Sequence, residues 1–160
     1  GNAWPLSVTS PGFFIFQTKN TTPAVFANDA SNITYAPGKA LNKINAVLKV
    51  PTDWIIDGVE VYEKINESKS KKRFGSDVDA GYVMQTVKLG HSVYRNVDVE
   101  ATKKIEGNTA KLVYNYQYGA DPSHIDAEAS MKNGAKIVYM DTNNSTSDFH
   151  ERKQFSLRDK

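Results

Sequence analysis

Apolar and polar residues alternate most densely over residues 53–62, where Trp54, Ile56, Val59 and Val61 are interleaved with Asp53, Asp57 and Glu60. Ile55 interrupts the alternation and Gly58 shifts it by one position, the pattern of a half-buried strand with a bulge at a glycine. Pro51 marks the entry to this strand, and the mostly polar run 63–73 marks its end. The four apolar residues 13–16, three of them aromatic, predict a short buried strand after the turn dipeptide Pro11-Gly12. Ile33-Thr34-Tyr35 is the strand-like triplet in the Thr-, Asn- and Ala-rich stretch 18–38. Residues 46–50 are rich in β-branched side chains and run into Pro51, which disfavours helix before it. A loop or short helical turn to about Lys43 and a strand over 46–50 are therefore expected.

Downstream, residues 77–82 read as a turn, and Val87, Leu89, Val93 and Val97 suggest a hairpin around Gly90-His91. Residues 109–118 carry tyrosines at 114, 116 and 118, which alternate onto one face of a strand. A polar connector with Pro122, a short helix near 125–132 and a last strand over 135–140 follow. Residues 141–149 are a string of turn formers, and Phe155 and Leu157 are expected to tuck down before a frayed end. Short strands, abundant turn residues and no long amphipathic helix predict a mainly β fold, an antiparallel β-sandwich with long loops and at most short helices. One domain over residues 1–160 is expected. A chain that starts so near a buried strand reads as a piece of a longer one that lacks its first strands.

Composition narrows the function classes. The 160 residues carry a formal charge of +2, so nothing in the overall balance favours nucleic acid or an anionic membrane. The absence of cysteine removes disulfides, thiolate metal sites and cysteine nucleophiles. No apolar run approaches the roughly 18 residues of a membrane span. His91, His124 and His150 lack ligand spacing, and no phosphate loop, nucleophile elbow or metalloprotease motif is present. The basic run Lys69, Lys71, Lys72 and Arg73 reads as a solvated loop rather than a polyanion site, because Phe74 is the only aromatic beside it. The Asn-x-Ser/Thr triplets at 20, 32, 66, 143 and 144 would accept glycans only in a eukaryotic secreted protein.

Three constellations are left. Tyr114, Tyr116 and Tyr118 fit a ligand platform, for sugar rings for instance, or a cross-strand packing row, which is the commoner use of such a row. Asp53, Asp57, Asp77 and Asp79, with Glu60, offer carboxylates for a glycosidase pair, although acidic residues are ordinary on the wet face of a strand. Asp141, Asn143 and Asp148 place oxygens at positions that calcium loops use, but Thr146 stands where such a loop needs glycine and Arg152 where it needs glutamate. Hydrogen bonds from side chains to their own turn are the simpler use of that loop. No catalytic residue is assigned.

Four stretches in order, 50–60 (VPTDWIIDGVE), 79–82 (DAGY), 90–95 (GHSVYR) and 141–149 (DTNNSTSDF), resemble the C-terminal part of an uncharacterised family of Bacteroidetes lipoproteins related to lamin-tail-like domains. The similarity spans roughly residues 45–150, with the tail stretch its most specific part and Gly90 to Arg95 standing at a G-x-S-x-x-R element. It implies an immunoglobulin-like sandwich in an exported protein, lipid-anchored at the cell envelope and without known enzymatic activity. The expected partners are carbohydrate or protein at the cell surface, or a missing upstream segment or second chain that pairs with an open strand edge. A glycan hydrolase and a purely structural adhesion or spacer domain are the rival expectations.

Overall fold

A computed structural model describes residues 12–85, 92–114 and 121–152. The described residues fall into two compact units, one made of Phe14–Gly58 and the other of Gly12, Phe13 and the described residues from Val59 onward. Among the described residues helical turns and strands occur in near-equal shares, 30% and 27%, in several small sheets, so the fold is mixed and the expected β-rich character is met in part.

Strand β1 (Gly12–Phe16) forms where the apolar run predicts it, but all five residues are exposed. Propensity sets the strand, whereas burial depends on what neighbours it. Helix α1 (Pro23–Asn28) begins at Thr22, whose hydroxyl accepts from Val25 N at 3.2 Å, with Pro23 pre-set for the first turn. It buries Phe26, whose ring lies 4.9 Å from that of Trp54. Strands β2 (Ile33–Tyr35) and β3 (Ala46–Leu48) pair antiparallel, with Tyr35 opposite Ala46. A single helical turn, Lys43–Asn45, precedes β3 as the sequence suggests.

Strand β4 (Ile55–Glu63) is the organising strand, and its buried residues gather at its C-terminal end. The acidic face expected to be wet is not uniformly so. Asp53 is exposed, Asp57 is half-buried, and Glu60 is fully enclosed. Ile56, expected inward, is exposed. Strand β5 (Val83–Gln85) pairs parallel with β4, Val61 opposite Val83, which departs from the all-antiparallel expectation. Parallel pairing needs a long crossover, and residues 64–82 supply it. The sheet order is β1-β4-β5. The hairpin turn expected at Gly90-His91 lies outside the described residues, and β6 (Ser92–Arg95) enters another sheet, antiparallel to β7 (Phe149–Arg152).

A small apolar core of Val97, Ile125 and Ala127 takes Val99, Leu112 and Ile137 against it. Around it lie α2 (Val99–Lys104) and α3 (Ala127–Lys132), capped by Asp98 and Asp126, each accepting a backbone N–H at 2.9 Å. The helix expected near 125–132 is α3; α2 has too short an apolar pattern to be read from sequence.

The strand expected over 135–140 does not join a ladder beyond the bridge between Val97 and Tyr139. Its backbone is satisfied partly by the backbone of Asn96 and Asp98 and partly by side chains. Lys136 N donates to Asn108 Oδ1 at 2.8 Å, and Val138 N donates to Thr102 Oγ1 at 3.0 Å. Buried Asn108 and Thr102 therefore stand in for a neighbouring strand. The basic run is likewise not wholly solvated: Lys64–Lys69 forms 3-10 turns, and Lys72 bonds Glu60 at 2.6 Å.

Candidate functional site

Two polar turns, neither of which could be buried alone, are clasped together beside β5 and β7. Asp79, 1% exposed, is the clasp. One carboxylate oxygen accepts from Gly81 N and Ser145 N, both at 2.9 Å; the other accepts from Ser145 Oγ at 2.8 Å and Glu60 N at 3.3 Å. A carboxylate can accept about four hydrogen bonds, so this buried carboxylate is stabilised by oriented donors, with the Lys72 ammonium 3.9 Å away. The turns also meet through Ala80 N on Asn143 O at 2.6 Å. Thr146 Oγ1 both accepts from Tyr82 N at 3.0 Å and donates to Tyr82 O at 2.9 Å.

Helix α4 (Ser145–Asp148) is a single turn capped by Asn144. Asp148 folds back over the turn, accepting from Thr142 N and Thr142 Oγ1, both at 2.8 Å. Its backbone carbonyl takes Asn96 N at 2.7 Å, and Asn96 Nδ2 donates to Ser147 O at 2.7 Å. Asn96 Oδ1 then meets Nδ1 of His150 at 2.6 Å. Arg152 Nε donates to His150 Nε2 at 2.9 Å, which makes Nε2 the acceptor and puts the imidazole proton on Nδ1. Burial, with the Arg152 charge next in importance, holds the His150 pKa below the ordinary histidine value, while Asp121 and Glu128 oppose the shift. The Arg152 guanidinium lies 3.5 Å from the centre of the Tyr94 ring and bonds Glu128 at 2.9 Å.

This framework frames an open cleft of about 330 Å³, at the small end of the range for ligand pockets. The cleft is lined by Tyr82, Val83 and Met84 from β5 and the residue before it, by Ser145 and Thr146 of α4, and by Phe149, His150 and Glu151 of β7. Tyr82 is stacked on Tyr62 at 4.2 Å with the rings 10° apart, which fixes its orientation. The Arg95 guanidinium lies over the face of the Phe149 ring, 4.8 Å from its centre. The lining therefore combines oriented aromatic rings with hydroxyl, imidazole and carboxylate groups.

The structure distributes the sequence candidates differently. Tyr114 is exposed and bridges Ile125, while Tyr116 and Tyr118 lie outside the described residues. In the loop 141–148, Asp148 turns its oxygens onto Thr142, the Asn143 amide donates to Asp77 O at 3.4 Å, and Asp141 is exposed 3.9 Å from Arg95. Among the described residues no group of three His, Asp or Glu is placed to hold a metal ion. Of the carboxylates considered for glycoside chemistry, Asp53 pairs with Lys19 at 2.8 Å and Asp57 caps its own Gly58 N at 2.7 Å. Asp77 is exposed, and Asp79 is the clasp.

Sequence reasoning passed over Tyr82, Thr146 and His150, although each lies in or beside a stretch it singled out. The available signal was the pair Asp79-Ala-Gly81 and Asn144-Ser-Thr146, two turns rich in capping residues. Nothing local says that they meet.

What fold and cleft define together is a small mixed α/β module in which side-chain-to-backbone bonds hold a rigid, ring-lined surface pocket. The chain belongs to the family described as protein of unknown function DUF4876, whose profile matches residues 1–111. No curated protein and no solved structure matches it.

Proposed function

We propose that this chain is a non-enzymatic binding module of an exported, lipid-anchored envelope protein, and that its cleft takes a carbohydrate ring. The observation that carries the reading is a fixed aromatic ring, Tyr82 stacked on Tyr62, beside a cleft of about 330 Å³ whose lining includes the polar residues Ser145, Thr146 and Glu151. Sugars are recognised in that way: apolar C–H faces lie on rings while hydroxyls find polar partners. The envelope location, and kinship with lamin-tail-like, immunoglobulin-like domains, rest on the four stretches between residues 50 and 149. A non-enzymatic role is supported by the chemistry of Asp79 and Glu60, whose oxygens accept from nearby backbone and side-chain groups.

The test is a glycan array followed by calorimetry on the hits, with Tyr82→Ala and the cleft-filling Met84→Trp. Binding that falls tenfold or more in both variants, with far-ultraviolet circular dichroism unchanged, is the expected result. Retention of no glycan, or affinity indifferent to both substitutions, would sink the reading. Turnover of a polysaccharide that vanishes in Asp77→Asn would move the protein to the hydrolase class.

A further inference from the structure

The connection between β2 and β3 carries a second feature, independent of the cleft. Leu41 and Ile44 are 80% and 91% exposed, the most open large apolar side chains among the described residues. They do not stand on a loose loop. Asn42 Oδ1 accepts from Ile44 N at 3.1 Å and Asn45 N at 3.2 Å, and Asn45 Nδ2 donates to Ala40 O at 2.9 Å. Gly38, at φ +70°, makes the preceding turn. Polar bonds therefore fix the tip and aim two aliphatic side chains outward, where burial within the protein would be the usual solution.

The charge around them is one-sided. Residues 30–52 contain Lys39, Lys43 and Lys49 and no acidic residue. Lys39 and Lys43 flank Leu41, and Lys43 also adjoins Ile44. Both lysines are exposed. Two aliphatics inside a collar of lysines match the layers of an anionic bilayer surface, apolar acyl chains beneath negatively charged headgroups. A lysine can lay its stem along the apolar region and leave its ammonium at the headgroups.

We propose that the tip of this hairpin, residues 38–45, docks on an anionic lipid surface by inserting Leu41 and Ile44 while Lys39 and Lys43 engage the headgroups. The contact is peripheral: no helix among the described residues is long and apolar enough to cross a membrane. Because the turn is already ordered by its own hydrogen bonds, insertion costs little conformational entropy.

The test is co-sedimentation of the full chain with vesicles of phosphatidylcholine alone and of phosphatidylcholine mixed with phosphatidylglycerol. Binding to the anionic vesicles only, weakened by salt, is expected. Leu41→Ser with Ile44→Ser should lower partitioning by roughly tenfold per side chain, from the transfer energy of an aliphatic group. Lys39→Ser with Lys43→Ser should remove the preference for anionic lipid. Because the chain has no cysteine, Ile44→Cys also gives a unique site for an environment-sensitive dye. A blue shift of that dye on adding anionic vesicles is the direct sign of insertion. Failure to bind those vesicles, or binding unchanged by the paired serine substitutions, overturns the proposal. A dimer in lipid-free solution that the same substitutions dissolve would also overturn it, assigning the tip to a second copy of this chain.

Discussion

His150 shows how a single residue can be set by its surroundings and still be readable by experiment. Its imidazole is enclosed, donates from Nδ1 to Asn96 and accepts at Nε2 from Arg152. Burial disfavours the charged imidazolium, and protonation must also displace the Arg152 donor and place a second positive charge beside the guanidinium, so the folded-state pKa lies below the unfolded one. The consequence for stability has a definite sign. Above the ordinary histidine value of 6.5 both states are neutral there and the contribution is fully present. As pH falls through that value, the unfolded chain takes up a proton that the folded chain resists, and stability declines. The slope from one such group reaches at most about 1.4 kcal/mol per pH unit. Urea unfolding between neutral pH and the onset of carboxylate titration should show this decline, and His150→Gln should flatten it. A slope unchanged by His150→Gln would place the responsible group elsewhere.

At the scale of elements, the clasp between the two turns decides whether the cleft exists. Gly81 sits where an added Cβ would lie 2.6 Å from both the nitrogen and Oγ1 of Thr146, closer than packing allows. Gly81→Ala should therefore push the turns apart, at a cost of about 2–3 kcal/mol, typical of overpacking. Asp79→Asn replaces an acceptor by a donor that faces N–H and O–H groups and should cost a similar amount, about 2–3 kcal/mol. Asp77→Asn, on an exposed side chain of the same turn, should stay within about 0.5 kcal/mol. Equal effects at 77 and 79 in urea unfolding would mean that the clasp is not what holds the turns.

The same element shows what sequence could and could not convey. Strands β1 to β4, the helical turn before β3, and α3 are written in local runs of apolar or β-branched residues, and they appear close to where those runs predict them. The segment 135–140 has the same local signal but forms no more than an isolated bridge among the described residues, because Asn108 and Thr102 take the N–H groups of Lys136 and Val138; that choice depends on residues about 28 and 36 positions away. Glu60 looks like a wet-face carboxylate until the backbone of Arg73 and Phe74 closes over it. The cleft itself was illegible for the same reason, since its walls come from residues about 60 positions apart and only Asp79 and the turn 141–148 hinted at it.

On the scale of the whole chain, the two units are built to different standards. Among the described residues of Phe14–Gly58, Phe26 is the one buried hydrophobic side chain, and its partner ring Trp54 is only half-buried. The other unit buries Val61, Tyr62, Val78, Val83, Val97 and Ile125, and backs them with enclosed polar residues whose bonds bind distant segments. Apolar burial is the main favourable term in folding, at roughly 25 cal/mol per Å², so the first unit has far less to hold it closed. Local opening should therefore run ahead of global unfolding in residues 14–58. Native-state hydrogen exchange is expected to show amides of β2 and β3 exchanging through low-energy openings, well before Asn96, Val97 and Ile125. Denaturant should leave that early exchange almost unchanged while accelerating exchange at the latter three, because small openings expose little surface. Uniform protection across both groups, with one shared denaturant dependence, would show instead that the chain opens as a single cooperative unit.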